Sequence, residues 1–344
     1  MVWPLPRARV APVAIVLAAV TVAALSLLLG SALRADPLGW LRWGRAIALG
    51  EGPFSTLDYP SWKPLPVLLT VPLAFCGALG PTLWLVVVRA AGILSFLLVF
   101  DLGRRRAGWT AGIVAAGAVA LIPTWWPTMV GGGIEPLLVL AACLAIDRHE
   151  RGRDGQAVLL LGVMAMGREE ALGLLLLAGL CLGRRDRRWV LWTGLGAVGV
   201  LALWLTGDWL GSGDPLHGGE LARSAPDAVA LRLSGAPLGV GAGTVAGILT
   251  APVWFAAGAG AWSALRSRDR TLVTALVAAL AWIATDLVMA GEGFPLPARF
   301  LFPPAVALSI VAGVGATVLL DAVARGLGLP EPAPEPAPEQ GRAP

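Results

Sequence analysis

Acids and arginines are scarce in this chain, so those that fall beside long apolar runs stand out. Asp36 follows the first such run in "ADPLGWLRWGRAIALGEG", with Arg42 six residues further on. Glu135 follows three glycines in "GGGIEPL", and Arg168, Glu169 and Glu170 interrupt a greasy stretch in "GREEALGLLLL". Arg223 closes "GDPLHGGELAR", and Arg299 sits in "PARFLFPPA" before the last apolar run. A carboxylate held at a membrane surface can deprotonate a hydroxyl or ligate a divalent cation. Arginines at similar depth can hold a phosphate through paired hydrogen bonds.

Each feature also has a plainer structural role. Asp-Pro is a good helix cap, and Trp40 and Trp43 on an amphipathic segment can mark an interfacial helix. An acid near a helix N-terminus is electrostatically ordinary. An Arg–Glu pair can satisfy itself, Gly-Asp-Pro is a common turn, and a terminal arginine can snorkel to the interface.

The elements that must position these residues are membrane helices. The chain is 57% hydrophobic and 14% charged, against roughly 25% charged in soluble domains. Several apolar runs approach the roughly 20 residues needed to cross a bilayer. An all-α polytopic bundle of roughly ten membrane segments follows, with outer loops at about 34–64 and 207–236. The expected helices include 188–206, a single one over 239–264, and a last one over 300–323. A Pro/Glu-rich tail, 324–344, is expected to lack a core.

The net charge of +4 comes from short arginine clusters between apolar runs. That is the pattern of cytoplasmic loops and not of nucleic-acid binding. The rule places 104–106, 148–153, 184–188 and 266–270 inside, and Arg7 and Arg9 at the inner end of an uncleaved first helix. Two consequences follow. Either the run 65–80 does not span or "RRR" lies outside, the first being the reading adopted, and 157–183 rises and returns with "GREE" recessed at its outer turn. Arg89 must face protein or an aqueous cleft. Cys76, Cys143 and Cys181 have no metal spacing and read as small buried apolar residues. The acids and arginines recur on the outer face, which points to a cleft for an anionic ligand there.

Taken in order, these stretches resemble the polyprenyl-phosphate-dependent, multi-pass GT-C glycosyltransferases, in particular the arabinofuranosyltransferase- and mannosyltransferase-like branch. The carriers are the acid and Trp-Arg-Trp helix at 35–52, "GGGIEPL", "GREEALGLLLL", "GDPLHGGELAR" and "ARFLFPP". Ala35 stands where many relatives carry a second acid, and Glu169 where proline is usual. The resemblance implies sugar transfer from a polyprenyl-phosphate donor to a glycan, lipid or protein hydroxyl on the extracytoplasmic side of the plasma membrane. It makes Asp36 the base or metal ligand, with Mg or Mn as the candidate ion. Arg168, Arg223 and Arg299 become donor-phosphate ligands, and Arg42, Glu135 and Glu169 further binding residues. A non-catalytic scaffold subunit in envelope assembly and a transporter or flippase are the competing readings.

Overall fold

The computed structural model describes residues 7–30, 32–58 and 60–328. The expected tail from 329 onward lies outside them, and so do the side chains of Arg7 and Arg9. Among the described residues the secondary structure is helical throughout. Helix α1 (Arg7–Ser26) leads to α2 (Ala35–Leu49), α3 (Pro64–Ala74) and α4 (Gly80–Ala120). Then come α5 (Trp125–Val130), α6 (Glu135–Glu150), α7 (Asp154–Ala165), α8 (Glu170–Gly183) and α9 (Arg188–Ser212). Two short helices, α10 (His217–Ser224) and α11 (Pro226–Leu233), precede α12 (Pro237–Gly247), α13 (Ala251–Ser267), α14 (Arg270–Gly291) and α15 (Phe302–Gly326).

This is a multi-pass membrane protein, and the lengths of its segments differ from the sequence expectation. By length and composition five helices can cross a bilayer, or six if α11 and α12, bent by 118°, form one broken span. The expected count of ten included shorter pieces. Helix α3, with 11 residues, extends roughly 16 Å at 1.5 Å per residue, about half the hydrocarbon thickness. It is too short to cross on its own, which agrees with the first of the two alternatives left by the charge pattern. Helices α7 and α8 are also short, and the turn between them is recessed, with Arg168 and Glu170 each 2% exposed.

Three further boundaries move, and two cysteines change environment. Helix α9 runs to Ser212, so the polar loop starts later than 207 and is itself largely helical. The single helix expected over 239–264 is two, α12 and α13. Helix α15 continues to Gly326, past the expected end at 323. Only Cys143 of the three cysteines is buried, whereas Cys76 and Cys181 are exposed.

Helix α4 is two arms folded at Ala107–Gly108, where Gly108 has φ 79°, a left-handed conformation that glycine adopts without a side-chain clash. The fold brings "RRR" to the hinge. There Arg105 pairs with Asp147 at 2.7 Å and Glu150 at 3.0 Å, and Arg106 with Asp269 at 2.5 Å. Arg185 reaches Asp154 at 3.7 Å. The arginine clusters thus gather at one end of the bundle, called here the arginine face. Burial works against the Asp269 carboxylate, but Arg106 and the backbone N–H groups of Leu272 and Thr271 hold its pKa below the ordinary value.

At the centre, α15 lies against α4 and α13 with a nearly continuous buried stretch from Phe302 to Gly315. Gly260 of α13 and Gly315 of α15 meet backbone to backbone, and a Cβ on either would overlap a main-chain carbonyl of the other helix. Arg89 is buried in protein, as expected. It donates to Ser26 Oγ (3.0 Å), Gly30 O (2.6 Å) and Val130 O (3.0 Å), tying the end of α1 to α4 and α5.

Two outcomes follow. Gly260→Ala should lower unfolding stability in detergent by about 1–3 kcal/mol, the usual cost of overpacking, read by thermal melting. The Asp269 pKa is lowered on folding, so its contribution is present above the unfolded value and is lost as pH falls below about 4. Asp269→Asn should therefore lower the melting temperature at pH 7 and shrink the difference from wild type in acid.

Candidate active site

The site is assembled at the end of the bundle opposite the arginine face. Helix α2 supplies Asp36 in its first turn. The N-cap is Arg34 and not Asp36, so the Asp-Pro cap expected from sequence is replaced by an acid one position inside the helix. The tryptophans of α2 are not belt residues. Trp40 is 1% exposed and Trp43 5%. Trp40 meets Trp84 edge-on at 6.0 Å, and Trp43 Nε1 donates to Ser55 O at 2.7 Å. Thr70 Oγ1 donates to Trp40 O at 2.8 Å, locking α3 onto α2. The helix that carries the acid is held by packing rather than by lipid.

Glu135 opens α6, and the glycines before it have a steric reason. A Cβ on Gly133 would stand 2.6 Å from both Glu135 Oε2 and Thr128 Cγ2, so only glycine leaves room for the carboxylate to fold back over the turn. The same turn anchors the start of α2: Arg34 N donates to Gly131 O at 3.0 Å.

Arg299 lies in the 3₁₀ turn Ala298–Leu301 before α15. Its Nη2 is 3.5 Å from Asp36 Oδ2 and its Nε is 3.4 Å from Glu135 Oε1. One guanidinium therefore lies between acids that are 99 residues apart in sequence (135 − 36). Glu135 is 6% exposed and Asp36 22%, so only Asp36 is open to an incoming molecule.

Arg168 and Glu170 form a bidentate pair within the buried α7–α8 turn, with Nε to Oε2 at 2.9 Å and Nη2 to Oε1 shorter. The partner is Glu170 and not Glu169. Asp286 of α14, also buried, adjoins the pair. The Arg168 guanidinium carbon lies 3.2 Å from the ring centre of Phe300, and that of Arg299 lies 5.6 Å from the same ring. Phe300 thus connects the buried pair to the bridging arginine. Glu169 is half-buried, and its Oε2 is buried without a hydrogen-bond partner.

Lys63, the chain's single lysine, was not singled out by sequence reasoning. It precedes α3, whose Leu65 N donates to Met166 O at 2.8 Å and so brings it to the α7–α8 turn. Its ammonium is partly buried, 5.4 Å from the Trp204 ring, in the fields of Glu169, Arg168, Glu170 and Asp36. Burial pushes its pKa down, and the attraction of Glu169 opposes that shift. Its uniqueness in an arginine-rich chain was the available signal.

Asp36, Glu135, Arg168, Glu169 and Arg299 are thus brought to one region, with Lys63 added. Arg42 and Arg223 do not join them. Arg42 is exposed on α2. Arg223 is exposed and stacks 4.4 Å from the Phe294 ring, outside the cluster. No three His, Cys, Asp or Glu side chains converge among the described residues. A divalent ion between Asp36 and Glu135 would have to displace the Arg299 guanidinium, so this donor set does not fit a resident metal.

No protein-family model matches the sequence, and no curated relative matches it. Solved structures do. ArnT from Cupriavidus metallidurans in the apo state matches with TM-score 0.53 and 20% identity over 92% of this chain and 63% of that one. The same protein bound to undecaprenyl phosphate matches with TM-score 0.52 and 18% identity over 93% and 64%. The archaeal oligosaccharyltransferase AglB from Archaeoglobus fulgidus, in complex with an inhibitory peptide and a dolichol-phosphate, follows with TM-score 0.49 and 13% identity over 91% and 51%. The fold is GT-C-like. The chain spans less than two thirds of the length of these structures.

Removing one partner of a buried ion pair costs about 3–5 kcal/mol. Glu170→Ala should therefore destabilise the protein by that order in detergent melting, while Arg42→Ala should leave the melting temperature within error.

Proposed function

We propose that the protein is a membrane glycosyltransferase that moves a sugar from a polyprenyl-phosphate donor to an acceptor hydroxyl. The observation that carries this reading is Arg299 held between Asp36 and Glu135, with Lys63 and Arg168 beside it. That arrangement puts a reachable carboxylate next to cations suited to a phosphate. The GT-C-like fold, shared with a protein solved with undecaprenyl phosphate bound, supports the lipid-linked donor.

In this reading the acceptor hydroxyl gives its proton to Asp36 as its oxygen attacks the anomeric carbon. The bond between that carbon and the phosphate oxygen breaks, and the electron pair leaves with the polyprenyl phosphate. Attack from the side opposite the phosphate inverts the anomeric centre. Arg299 and Lys63 offset the charge that develops on the leaving phosphate. Glu135, too buried to meet an acceptor, keeps the Arg299 side chain extended toward Asp36. Arg168 is committed to Glu170 and to the Phe300 ring, so its part is to hold the wall from which Arg299 projects. Glu169, whose side chain is half-buried, is the second carboxylate that can accept from a sugar hydroxyl. Arg223 lies where it can meet the donor on the way in, and Arg42 where it can meet lipid headgroups. No step is routed through a metal ion.

The arginine face is cytoplasmic and the site extracytoplasmic, by the positive-inside rule. The acceptor is then a glycan, lipid or protein of the cell envelope.

Positioned general bases contribute about 10²–10⁴-fold to rate. Asp36→Asn should lower transfer from a radiolabelled polyprenyl-phosphate sugar by at least about 100-fold in proteoliposomes, with the melting temperature kept. Arg299→Lys should mainly raise KM for the donor. Undiminished transfer by Asp36→Asn would overturn the assignment of the base. Turnover by the purified protein alone would exclude a purely scaffolding role.

A further inference from the structure

A second feature lies in the other half of the bundle. Helices α6, α7, α8, α14 and α15 line a half-open cavity of about 360 Å³. Leu161, Leu174, Ala278 and Ala307 are among its walls, and Trp282 and Pro303 stand at its inner end. His149, Asp154 and Thr271 line the other end, at the arginine face. From Thr271 to Trp282 is 11 residues of α14 (282 − 271), or roughly 16 Å at 1.5 Å per residue. That is about half of a ~30 Å hydrocarbon core, the depth of one leaflet.

The lining is almost wholly apolar. An apolar cavity of about 150 Å³ already stays dry and takes up benzene rather than water, so a larger one calls for a hydrocarbon occupant. The mouth says which kind. Asp154 there is balanced by His149 at 2.8 Å and Arg185 at 3.7 Å. In the turn that carries Arg185, Arg184, Arg187 and Arg188 are also exposed. A second, shallower pocket beside the same end of α8 sets Arg184 and Arg187 over Leu180, Val190 and Leu191. Cations above aliphatic side chains match a phosphate above its acyl chains, and basic pockets between helices on the cytoplasmic side suit anionic headgroups. The closed end is separated from the Asp36 site by the buried Arg168–Glu170 pair and Asp286, which adjoin Trp282 one turn along α14. An amphiphile therefore fits with its head at the arginine face.

We propose that this cavity is a lipid site. An anionic phospholipid of the leaflet on the arginine face inserts one acyl chain between α7, α8 and α14, with its phosphate at the Arg184–Arg188 cluster. The site is separate from the proposed transfer chemistry and does not depend on it.

The test uses the purified full chain in detergent with phosphatidylglycerol carrying a dibrominated acyl chain, read by tryptophan fluorescence. Saturable quenching should occur, and a fixed part of it should vanish in Trp282→Phe. Ala278→Leu, which adds bulk where there is space, should remove the same part while keeping the melting temperature. Replacing Arg184 and Arg187 by Ala should weaken binding by about fivefold per arginine. Brominated phosphatidylcholine should bind correspondingly less well. Quenching that ignores Trp282→Phe and Ala278→Leu would overturn occupancy of the cavity. Equal binding of the two lipids would overturn the headgroup assignment. Displacement by equimolar polyprenyl phosphate, but not by unbrominated phosphatidylglycerol, would make the occupant the lipid carrier and overturn the proposal.

Discussion

Ionised groups near a bilayer must be paired, and in this protein one arginine supplies the pairing for two distant acids. Arg299 sits between Asp36 from α2 and Glu135 from α6. Without a cation there, two carboxylates would approach each other in a poorly solvated space, where like charges repel strongly. The arrangement requires three pieces of chain to meet within hydrogen-bonding reach: the exit of α1, the glycine turn before α6, and the turn into α15. Much of the rest of the fold is what makes that meeting reproducible.

The support comes in two forms. Apolar packing places α15 along α4 and α13, with glycines letting the backbones touch. Buried hydrogen bonds place the short elements: Thr70 to Trp40, Trp84 Nε1 to Gly132 O at 2.9 Å, and Arg89 to three partners at the end of α1 and α5. Below the site the Arg168–Glu170 pair and Phe300 form a stiff floor. A buried ion pair adds little net stability compared with an apolar pair. Its presence under the site is better understood as a means of orienting Phe300 and the residue before it.

The two ends of the bundle handle charge differently. At the arginine face, Arg105 and Arg106 cross-link α4, α6 and the start of α14 through Asp147, Glu150 and Asp269, while the arginines after α8 remain largely exposed. At the other end the charges turn inward toward a common region. This asymmetry separates a structural clamp with an exposed arginine rim from an inward-facing cluster of acids and cations.

The sequence by itself determined the class of fold, because too little polar surface exists to cover a soluble core. It also indicated that the arginine clusters share one end of the bundle, since apolar run lengths and arginine clusters are local properties of the chain. It pointed to Asp36, Glu135, Arg168, Glu169 and Arg299, which are costly at membrane depth. The tertiary structure alone decided which of these meet. It excluded Arg42 and Arg223 from the cluster and selected Glu170, of the two adjacent glutamates, as the partner of Arg168. It also brought in Lys63, which lies in a loop where a charge costs nothing until α3 docks on the α7–α8 turn. It turned Trp40 and Trp43 from interfacial residues into core, because α3 and α4 cover the face of α2 that would otherwise meet lipid. Spacing along the chain fixes which end of a helix a residue occupies. The direction it points depends on which helix packs beside it, and that is a property of the whole bundle.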